Sequence, residues 1–517
     1  MKVATLLNIL VLVGLNQAKP IQSRSIQWSP CADLPQEIPC DTCECSTLPV
    51  PLDYTNSSST TIDLPILRIP ATEQPSKGSV LFNFGGPGAE ARQILASSEK
   101  KLMAATGNVY DLVAFDPRGT GINNPMNCTG GDPLELLAIA KGFTLNPDTA
   151  PSQNWAQSKV LADRCLRNQS DIGEFIGTAF VARDLMSVVD ELDDDGMLRF
   201  WGFSYGTVLG ATVAAMFPSR IDRIVLDAVT NLHEYYNDWA DYEEWLQTDE
   251  VFSGIWSTCI DAGPDRCPLA AVYNDSATLE AAVYDLIDST LEAPIIITSS
   301  NATVALDYHN LKQMYSSSIY GPASWPATAT ITALLLANET ESDELYTLLA
   351  AIGLDCISPL NPIIAWATTI ATIGIRGSDR VLRAESLSQM EPILARLRQQ
   401  SRILGDISDF LILGGASWRF EAKERYTGPW ENITTQHPML LLGNTWDGYT
   451  PIRSAYNTSA SFVDSVVLEV EAYGHGTLGV ASECLMQKTQ AYWVNGTLPE
   501  PGEKCGIDVK PYDPVDE

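Results

Sequence analysis

The sequence has little positive charge: its 517 residues include 32 Lys and Arg against 64 Asp and Glu, a formal net charge of −32. Proteins use clustered cations to displace the counterions of phosphate backbones and to bind anionic lipids. We therefore expect no nucleic-acid partner and no membrane partner, and a cationic ligand fits better. Glycine (35) and proline (31) are at ordinary levels, which argues against collagenous or low-complexity architecture. The hydrophobic share of 45% is sufficient for a sizeable core.

Long apolar runs are also scarce, apart from one at the N-terminus. Lys2 precedes the apolar residues 3–15, and Ala18 offers a small residue for cleavage. The run is shorter than the ~20 residues of a membrane anchor, and the pattern is typical of a secretory signal peptide over residues 1–18. A buried N-terminal helix is the alternative. We expect a secreted, extracellular and monomeric protein.

Acceptor sites for N-glycosylation agree with this route, because nine Asn-x-Ser/Thr sequons are scattered along the chain. They begin at Asn56, Asn127, Asn168, Asn274, Asn301, Asn338, Asn432, Asn457 and Asn495. The alternative for any single sequon is that it stays unoccupied. The number and spread of the sequons nevertheless predict a glycoprotein of a eukaryotic secretory pathway.

The 11 cysteines are interpreted as disulfide partners rather than metal ligands. Cys40 and Cys43 form a C-x-x-C pair without a downstream C-x-x-C or histidine partner, so no metal and no cofactor are expected. The odd total leaves one thiol over, and Cys356 has no close neighbour in sequence. The groups that lie close in sequence are Cys31, Cys40, Cys43 and Cys45; Cys259 and Cys267; and Cys484 and Cys505.

Short apolar strands alternate with helices in the first half of the chain. Strand patterns cover residues 78–83, 109–116, 197–201 and 224–227, and helical patterns cover 178–192 and 207–217. This alternation predicts an α/β protein whose mostly parallel sheet has helices on both faces. From 232 to 412 the pattern is mainly helical, and strands return after it. We predict a core formed by residues 19–231 and 413–517, split by a helical cap at 232–412.

The motif Gly-Phe-Ser-Tyr-Gly at residues 202–206 follows an apolar strand and begins a helix rich in small residues. In this context G-x-S-x-G predicts a sharp strand-to-helix turn that exposes the hydroxyl of Ser204 above the sheet. The flanking glycines are needed because strand and helix leave no room for side chains. The alternative is an ordinary turn with a buried serine.

A serine nucleophile needs a base, and the chain has only four histidines. Three of them occupy other positions: His233, His309 and His437. His475 lies in a turn directly after the last predicted strand. Since the chain order in this type of fold is Ser, acid, His, we predict that His475 is the base, with a structural histidine as the alternative.

The acid partner is expected after the preceding strand, where Asp447 lies in the loop at 444–451. A carboxylate there can hold the imidazole tautomer and stabilise the imidazolium; the alternative is a turn-forming Asp-Gly pair. Two backbone donors should complete an oxyanion hole. We predict the amides of Tyr205 and of Gly86, in the Gly-Gly-Pro-Gly loop, with a plain turn as the alternative for that loop.

Together these motifs resemble the α/β-hydrolase peptidases of the prolyl aminopeptidase family, most closely its secreted tripeptidyl-aminopeptidase-like branch. The resemblance implies an α/β-hydrolase fold with a helical cap, and a serine exopeptidase that removes short peptides from free N-termini. It assigns the triad roles to Ser204, Asp447 and His475. The end of the chain, residues 495–505, is similar to that branch's C-terminal domain. The segments that carry the resemblance are residues 83–88, 115–121, 201–207, 442–447 and 474–475.

The sequence departs from the branch at two places. Residues 89–91 read Ala-Glu-Ala where the branch usually has Gly-Ser-Gly, and Ser417 stands where it tends to have a cysteine. By the resemblance, the second change leaves Cys356 unpaired. The first change keeps a secreted esterase or amide hydrolase of small molecules open as an alternative. A third reading is a binding protein on an inactive hydrolase scaffold, against which the intact Ser204, Asp447 and His475 speak.

Recognition of a free amine requires carboxylates near the nucleophile. For each candidate, the alternative is a place on a solvated acidic surface, which the 64 acidic residues make common. The candidates are Glu90, Glu234, Asp238, Glu243 and Glu244.

Overall fold

The computed structural model describes residues 26–35, 37–38, 40–121, 125–354 and 361–514, with the backbone alone at 361–365. The predicted signal peptide and Cys356 lie outside the described residues.

The described residues contain twelve β-strands and seventeen α-helices. The strands are β1 (Ser29–Pro30), β2 (Glu44–Pro51), β3 (Thr61–Ile69), β4 (Ser79–Asn83), β5 (Asp111–Phe115), β6 (Leu198–Phe203), β7 (Ile221–Asp227), β8 (Ile295–Thr298), β9 (Thr303–Leu306), β10 (Leu440–Trp446), β11 (Val466–Tyr473) and β12 (Lys504–Cys505). The helices are α1 (Ala91–Ser97), α2 (Glu99–Ala105), α3 (Pro133–Ala140), α4 (Ala150–Asn168), α5 (Thr178–Leu192), α6 (Tyr205–Met216), α7 (Leu232–Asn237), α8 (Thr248–Ala262), α9 (Ser276–Ser289), α10 (Tyr308–Ile319), α11 (Trp325–Leu336), α12 (Asp343–Ala351), α13 (Asn361–Asp379), α14 (Leu387–Gln400), α15 (Asp409–Ser417), α16 (Ile452–Ser459) and α17 (Glu483–Asn495).

Ten strands form one sheet in the order β1-β2-β3-β5-β4-β6-β7-β10-β11-β12. The first strands pair antiparallel, and the sheet is parallel from β5 to β12. This topology confirms the predicted α/β class. Because parallel strands end at a common edge, the loops after β6, β7, β10 and β11 lie side by side, and that edge is where ligands bind in such sheets.

The central strands are buried on both faces, as their uninterrupted apolar sequences predict. Every residue of β4 and of β6 is buried. Successive side chains of β6 point to opposite faces: Phe200 belongs to the core that includes Val208 of α6, whereas Trp201 packs 5.9 Å from Trp493 of α17. The sheet is therefore held between two helical layers.

The region between β7 and β10 is mainly helical and has a hydrophobic core of its own. Phe252, Trp256 and Tyr315 pack edge to face at its centre, with ring centroids 5.4–6.0 Å apart. One antiparallel hairpin, β8–β9, interrupts the helices and was not expected from the sequence. The exact boundaries of core and cap stay a prediction.

Five disulfides join ten of the cysteines: Cys31–Cys45, Cys40–Cys43, Cys128–Cys165, Cys259–Cys267 and Cys484–Cys505. Four of them connect cysteines from the groups identified in the sequence, and the fifth ties α4 to the segment before α3. Disulfides at this density are compatible with an oxidising, extracellular environment. Within the described ranges, no helix combines the length and the apolarity required to cross a membrane.

Candidate active site

Ser204 lies at the sharp turn between β6 and α6, with φ +55° and ψ −124°. This backbone conformation is strained for a residue with a side chain, and residues that adopt it are concentrated at functional sites. The adjacent backbone is tightly packed: a Cβ on Gly202 would lie 2.1 Å from the carbonyl oxygen of Gly206, and one on Gly206 would lie 2.4 Å from that of Asn83. The predicted steric reason for both glycines of the motif is confirmed.

Asp447 and His475 are in direct contact after β10 and β11. The Nδ1 atom of His475 is 3.1 Å from both carboxylate oxygens of Asp447. The carboxylate is fully buried and accepts hydrogen bonds from the amides of Tyr449, Thr450 and Gly476 at 2.9–3.0 Å and from the Thr450 hydroxyl at 2.8 Å. Burial alone would raise the pKa of Asp447, but the charge of His475 and these donors hold it below its ordinary value.

The loop that carries His475 is clamped by its backbone. The amide of His475 donates to the carbonyl of Tyr320 at 2.8 Å, and that of Gly474 donates to the carbonyl of Trp446 at 2.9 Å. Gly474 has φ +108°, and a Cβ there would lie 2.9 Å from the Tyr320 carbonyl oxygen, so only glycine fits. Burial would lower the pKa of His475, but the charge of Asp447 and the hydrogen bond to it outweigh burial and raise it.

Ser204, His475 and Gly86 line one cavity above the sheet edge. The loop before Gly86 packs directly on the serine turn, since a Cβ on Gly85 would lie 2.8 Å from that of Ser204. Tyr205 begins α6, and its side chain is buried with its hydroxyl 2.6 Å from Thr178. The Tyr205 side chain therefore does not line this cavity, and only its backbone amide is left to donate a hydrogen bond there.

The cavity is acidic. Three of the five carboxylates named from the sequence, Glu234, Glu243 and Glu244, line it. The other two lie elsewhere, which corrects the sequence-based candidate set. Glu90 is at the N-terminus of α1, where it accepts a hydrogen bond from Gln93. Asp238 is exposed just past α7 and lines a separate small depression.

The negative charges of two of the cavity's carboxylates are balanced by neighbouring arginines. Asp241 lies 2.6 Å from both Arg376 and Arg380, and these cations hold its pKa low against the effect of burial. Glu243 lies 3.2 Å from Arg453. It also accepts hydrogen bonds from three polar side chains, those of Asn231, Ser454 and Asn457.

The other two carboxylates have little positive charge beside them. Glu234 accepts a hydrogen bond from the amide of Glu243 at 2.7 Å, and burial raises the pKa of Glu234 to about 7. Glu244 has Arg376 at 3.9 Å, and burial raises its pKa as well. A buried carboxyl group with a raised pKa is stabilised by a cation placed beside it, so this part of the cavity is suited to a positively charged ligand group.

Sequence reasoning missed Asp241, Arg376 and Tyr320 as cavity residues. Arg376 lies on α13 and Tyr320 directly follows α10, more than a hundred residues from Ser204 in the chain. No local motif marks either residue. Within the described residues no group of three or more His, Cys, Asp and Glu side chains is placed to hold a metal ion.

Known families and proteins are similar to this chain over most of its length. Residues 78–250 match the family described as alpha/beta hydrolase fold, and residues 414–505 match the family described as TAP-like protein. The tripeptidyl aminopeptidase of Streptomyces coelicolor is 25% identical over 492 residues, which cover 91% of this chain and 84% of the relative. The serine protease Hip1 of Mycobacterium tuberculosis is 26% identical over 522 residues, covering 96% and 95%. Carboxylesterase B of the same species is 24% identical over 516 residues, covering 95% and 92%.

The fold and these matches define the chain as a serine hydrolase with the α/β-hydrolase fold. Within that class it carries the TAP-like C-terminal region, and its relatives include proteins named tripeptidyl aminopeptidase and serine protease. The resemblance drawn from the motifs is thereby confirmed.

Proposed function

We propose that this protein is a secreted serine exopeptidase that releases di- or tripeptides from free N-termini. Ser204 is the nucleophile, His475 the general base and Asp447 its carboxylate partner. One observation carries the proposal: Ser204 and His475 line the same cavity as Glu234 and Glu244, two carboxyl groups with raised pKa values. A nucleophile beside an amine-binding pocket is the arrangement that an aminopeptidase requires.

Acylation begins when the Ser204 hydroxyl oxygen attacks the carbonyl carbon of the scissile peptide bond. Its proton passes to Nε2 of His475, while Asp447 accepts the Nδ1 proton in a hydrogen bond and stabilises the imidazolium. The carbonyl oxygen becomes an oxyanion. The backbone amides of Gly86 and Tyr205 donate to it, and such donors contribute several kcal/mol, about 3–4 for one.

Collapse of the tetrahedral intermediate breaks the carbon–nitrogen bond, and the imidazolium of His475 gives its proton to the leaving amine. The released product is the remainder of the polypeptide with a new N-terminus. The short N-terminal peptide stays bound to Ser204 as an ester. Water then attacks this ester with His475 as base, which frees the peptide and restores the hydroxyl.

The free α-amino group of the substrate supplies the missing cation. Its pKa in peptides is about 7.7–8.0, so it is positively charged near neutral pH and can pair with Glu234 and Glu244. The pairing fixes the N-terminus at one end of the cavity. The distance from there to Ser204 then limits how many residues are released.

The direct test is hydrolysis of tripeptidyl and dipeptidyl p-nitroanilides by the purified mature protein. Free-amine substrates are expected to be cleaved, and their N-acetylated counterparts to be cleaved far more slowly. Ser204→Ala is the control, and the wild type but not this variant should react with a fluorophosphonate probe. Equal rates on free and acetylated substrates would contradict the amine requirement, and an unreactive Ser204 would contradict the mechanism.

A second candidate function is hydrolysis of small esters or amides. It is favoured by the relative named carboxylesterase B and by the Ala-Glu-Ala sequence at residues 89–91. It predicts rapid turnover of short-chain p-nitrophenyl esters with no release of peptides from a peptide library. The same Ser204→Ala control applies.

Secretion is part of the proposal and rests on the N-terminal pattern, the five disulfides and the sequons. Seven of the nine sequon asparagines are exposed, whereas Asn127 and Asn457 are half-buried. The exposed ones are Asn56, Asn168, Asn274, Asn301, Asn338, Asn432 and Asn495. Mass spectrometry of protein from a eukaryotic culture medium is expected to find a mature N-terminus near residue 19.

A further inference from the structure

A second, apolar groove shares Tyr320 and His475 with the acidic cavity. It has a volume of about 500 Å³ and is formed by the end of α10, the loop after β11 and the C-terminal segment. Pro322, Tyr473, Val509 and Tyr512 are among its lining residues. Its volume falls in the range of pockets that hold ligands of several residues' size.

The groove adjoins the candidate active site, because Tyr320 and His475 line both. The Tyr320 ring meets the imidazole edge to face, with centroids 5.4 Å apart, and packs 4.3 Å from the Tyr449 ring. Tyr320 therefore stands at the boundary between an acidic compartment and an apolar one. The imidazole faces both.

The chemistry of acyl transfer decides which part of a substrate lies in each compartment. The group that receives a proton from His475 must be within hydrogen-bond reach of the imidazole. In peptide cleavage that group is the leaving amine, the first nitrogen after the scissile bond. With the N-terminus held by Glu234 and Glu244, the leaving chain departs past His475 toward the groove, which is the second space that the imidazole lines.

We propose that this groove binds the leaving polypeptide, the residues directly C-terminal to the cut, and that it selects apolar side chains there. The inference rests on the proposed exopeptidase function. Two large apolar side chains of the groove are left open to solvent, Tyr320 at 55% and Val509 at 37% exposure. The charged side chains of the lining besides the imidazole are Lys510 and Asp513, and Asp513 is paired with Arg266. Because most of the lining is uncharged, the leaving chain is selected mainly by apolar contact.

The test uses the mature enzyme and peptides that share one cleavable N-terminal segment and differ only in the first two residues after the cut. We expect kcat/KM for Leu or Phe to exceed that for Gly or Asp by roughly tenfold or more, since a buried aliphatic side chain discriminates by that factor. Val509→Asp should bring this ratio close to one. The same variant should leave turnover of the matching peptide methyl ester unchanged, because its methanol leaving group is too small to extend into the groove.

Val272→Asp is the matched control, since Val272 is 73% exposed and lies outside the groove; it should retain the preference. If no p-nitroanilide is cleaved, the proposed exopeptidase function itself fails. If it is cleaved but Leu, Gly and Asp peptides react equally, this inference alone is overturned. It is also overturned if Val509→Asp dissociates a dimer and leaves the preference intact, because the groove is then an interface between copies of the chain.

Discussion

Replacing Glu234 by Gln removes one charge from the acidic cavity while keeping a side chain of the same shape. The Gln carbonyl oxygen can still accept the hydrogen bond that Glu234 accepts from the Glu243 amide at 2.7 Å. The local fold should therefore persist. What is lost is the carboxylate that, by our proposal, pairs with the substrate's α-ammonium group.

The magnitude follows from the strength of that contact. A hydrogen bond between charged groups contributes about 1.5–3 kcal/mol, which corresponds to about a 10- to 150-fold loss in kcat/KM on free-amine peptides. Activity on N-acetylated or ester substrates should be unaffected. Because ionising a buried carboxyl with a raised pKa costs folded-state free energy above that pKa, Glu234→Gln should also raise the melting temperature at alkaline pH.

The pH profile of kcat/KM provides a second readout. The pKa of Glu234 is raised to about 7 by burial, so the carboxyl group becomes neutral below that pH. His475, whose pKa is also raised, becomes protonated on the same side and stops acting as a base. On the acid limb of the profile, kcat/KM for free-amine substrates should therefore fall by up to about a hundredfold for each unit of decreasing pH, because Glu234 and His475 must both be deprotonated. For a blocked ester only His475 must be deprotonated, and kcat/KM should fall by about tenfold per pH unit.

In Glu234→Gln the acid limb should fall by about tenfold per pH unit on both kinds of substrate, as expected for one titrating group. The matched control is Glu391→Gln, the same substitution at an exposed carboxylate outside the cavity. It should keep both the wild-type rate and the steep limb. A wild-type enzyme with the same acid limb on free and blocked substrates would refute the reasoning, as would an effect of Glu391→Gln equal to that of Glu234→Gln.

Three further predictions concern the triad, the serine turn and one sequon. In Asp447→Asn, three backbone amides that now donate to a carboxylate would face a neutral side-chain amide, which has N–H donors of its own. Steady-state kcat should therefore fall by about 10³–10⁴-fold. A fall of less than tenfold would count against the assigned role. Gly202→Ala places a methyl group 2.1 Å from a backbone carbonyl and should cost about 3 kcal/mol or more in chemical denaturation, whereas Gly479→Ala, with no atom within 4 Å of its Cβ, should be nearly neutral. The Asn457 amide donates to Glu243, so glycopeptide mapping should find Asn457 unoccupied; full occupancy would show that this contact does not form in the secreted protein.

Much of the fold was predictable because its signals are local. The position of Ser204 follows from five consecutive residues between an apolar strand and a small-residue helix, and both flanking glycines are required by backbone atoms within a few ångströms. His475 and Asp447 were predictable from their order along the chain, since loops after neighbouring parallel strands emerge at one sheet edge. The β8–β9 hairpin escaped notice because two four-residue strands inside a helical region carry too little pattern.

The sequence by itself determined the sheet, the serine turn and the two loops that bring Asp447 to His475. Only the tertiary structure decided which of the many carboxylates face Ser204. The residues next to Glu234 and Glu244 in the sequence do not distinguish them from Glu90. The difference is in the fold, which places Glu234 and Glu244 in the cavity and Glu90 outside it. The physical reason is that burial and the distance to a cation set the charge state of a carboxyl group, and both depend on residues such as Arg376 that are remote in the chain.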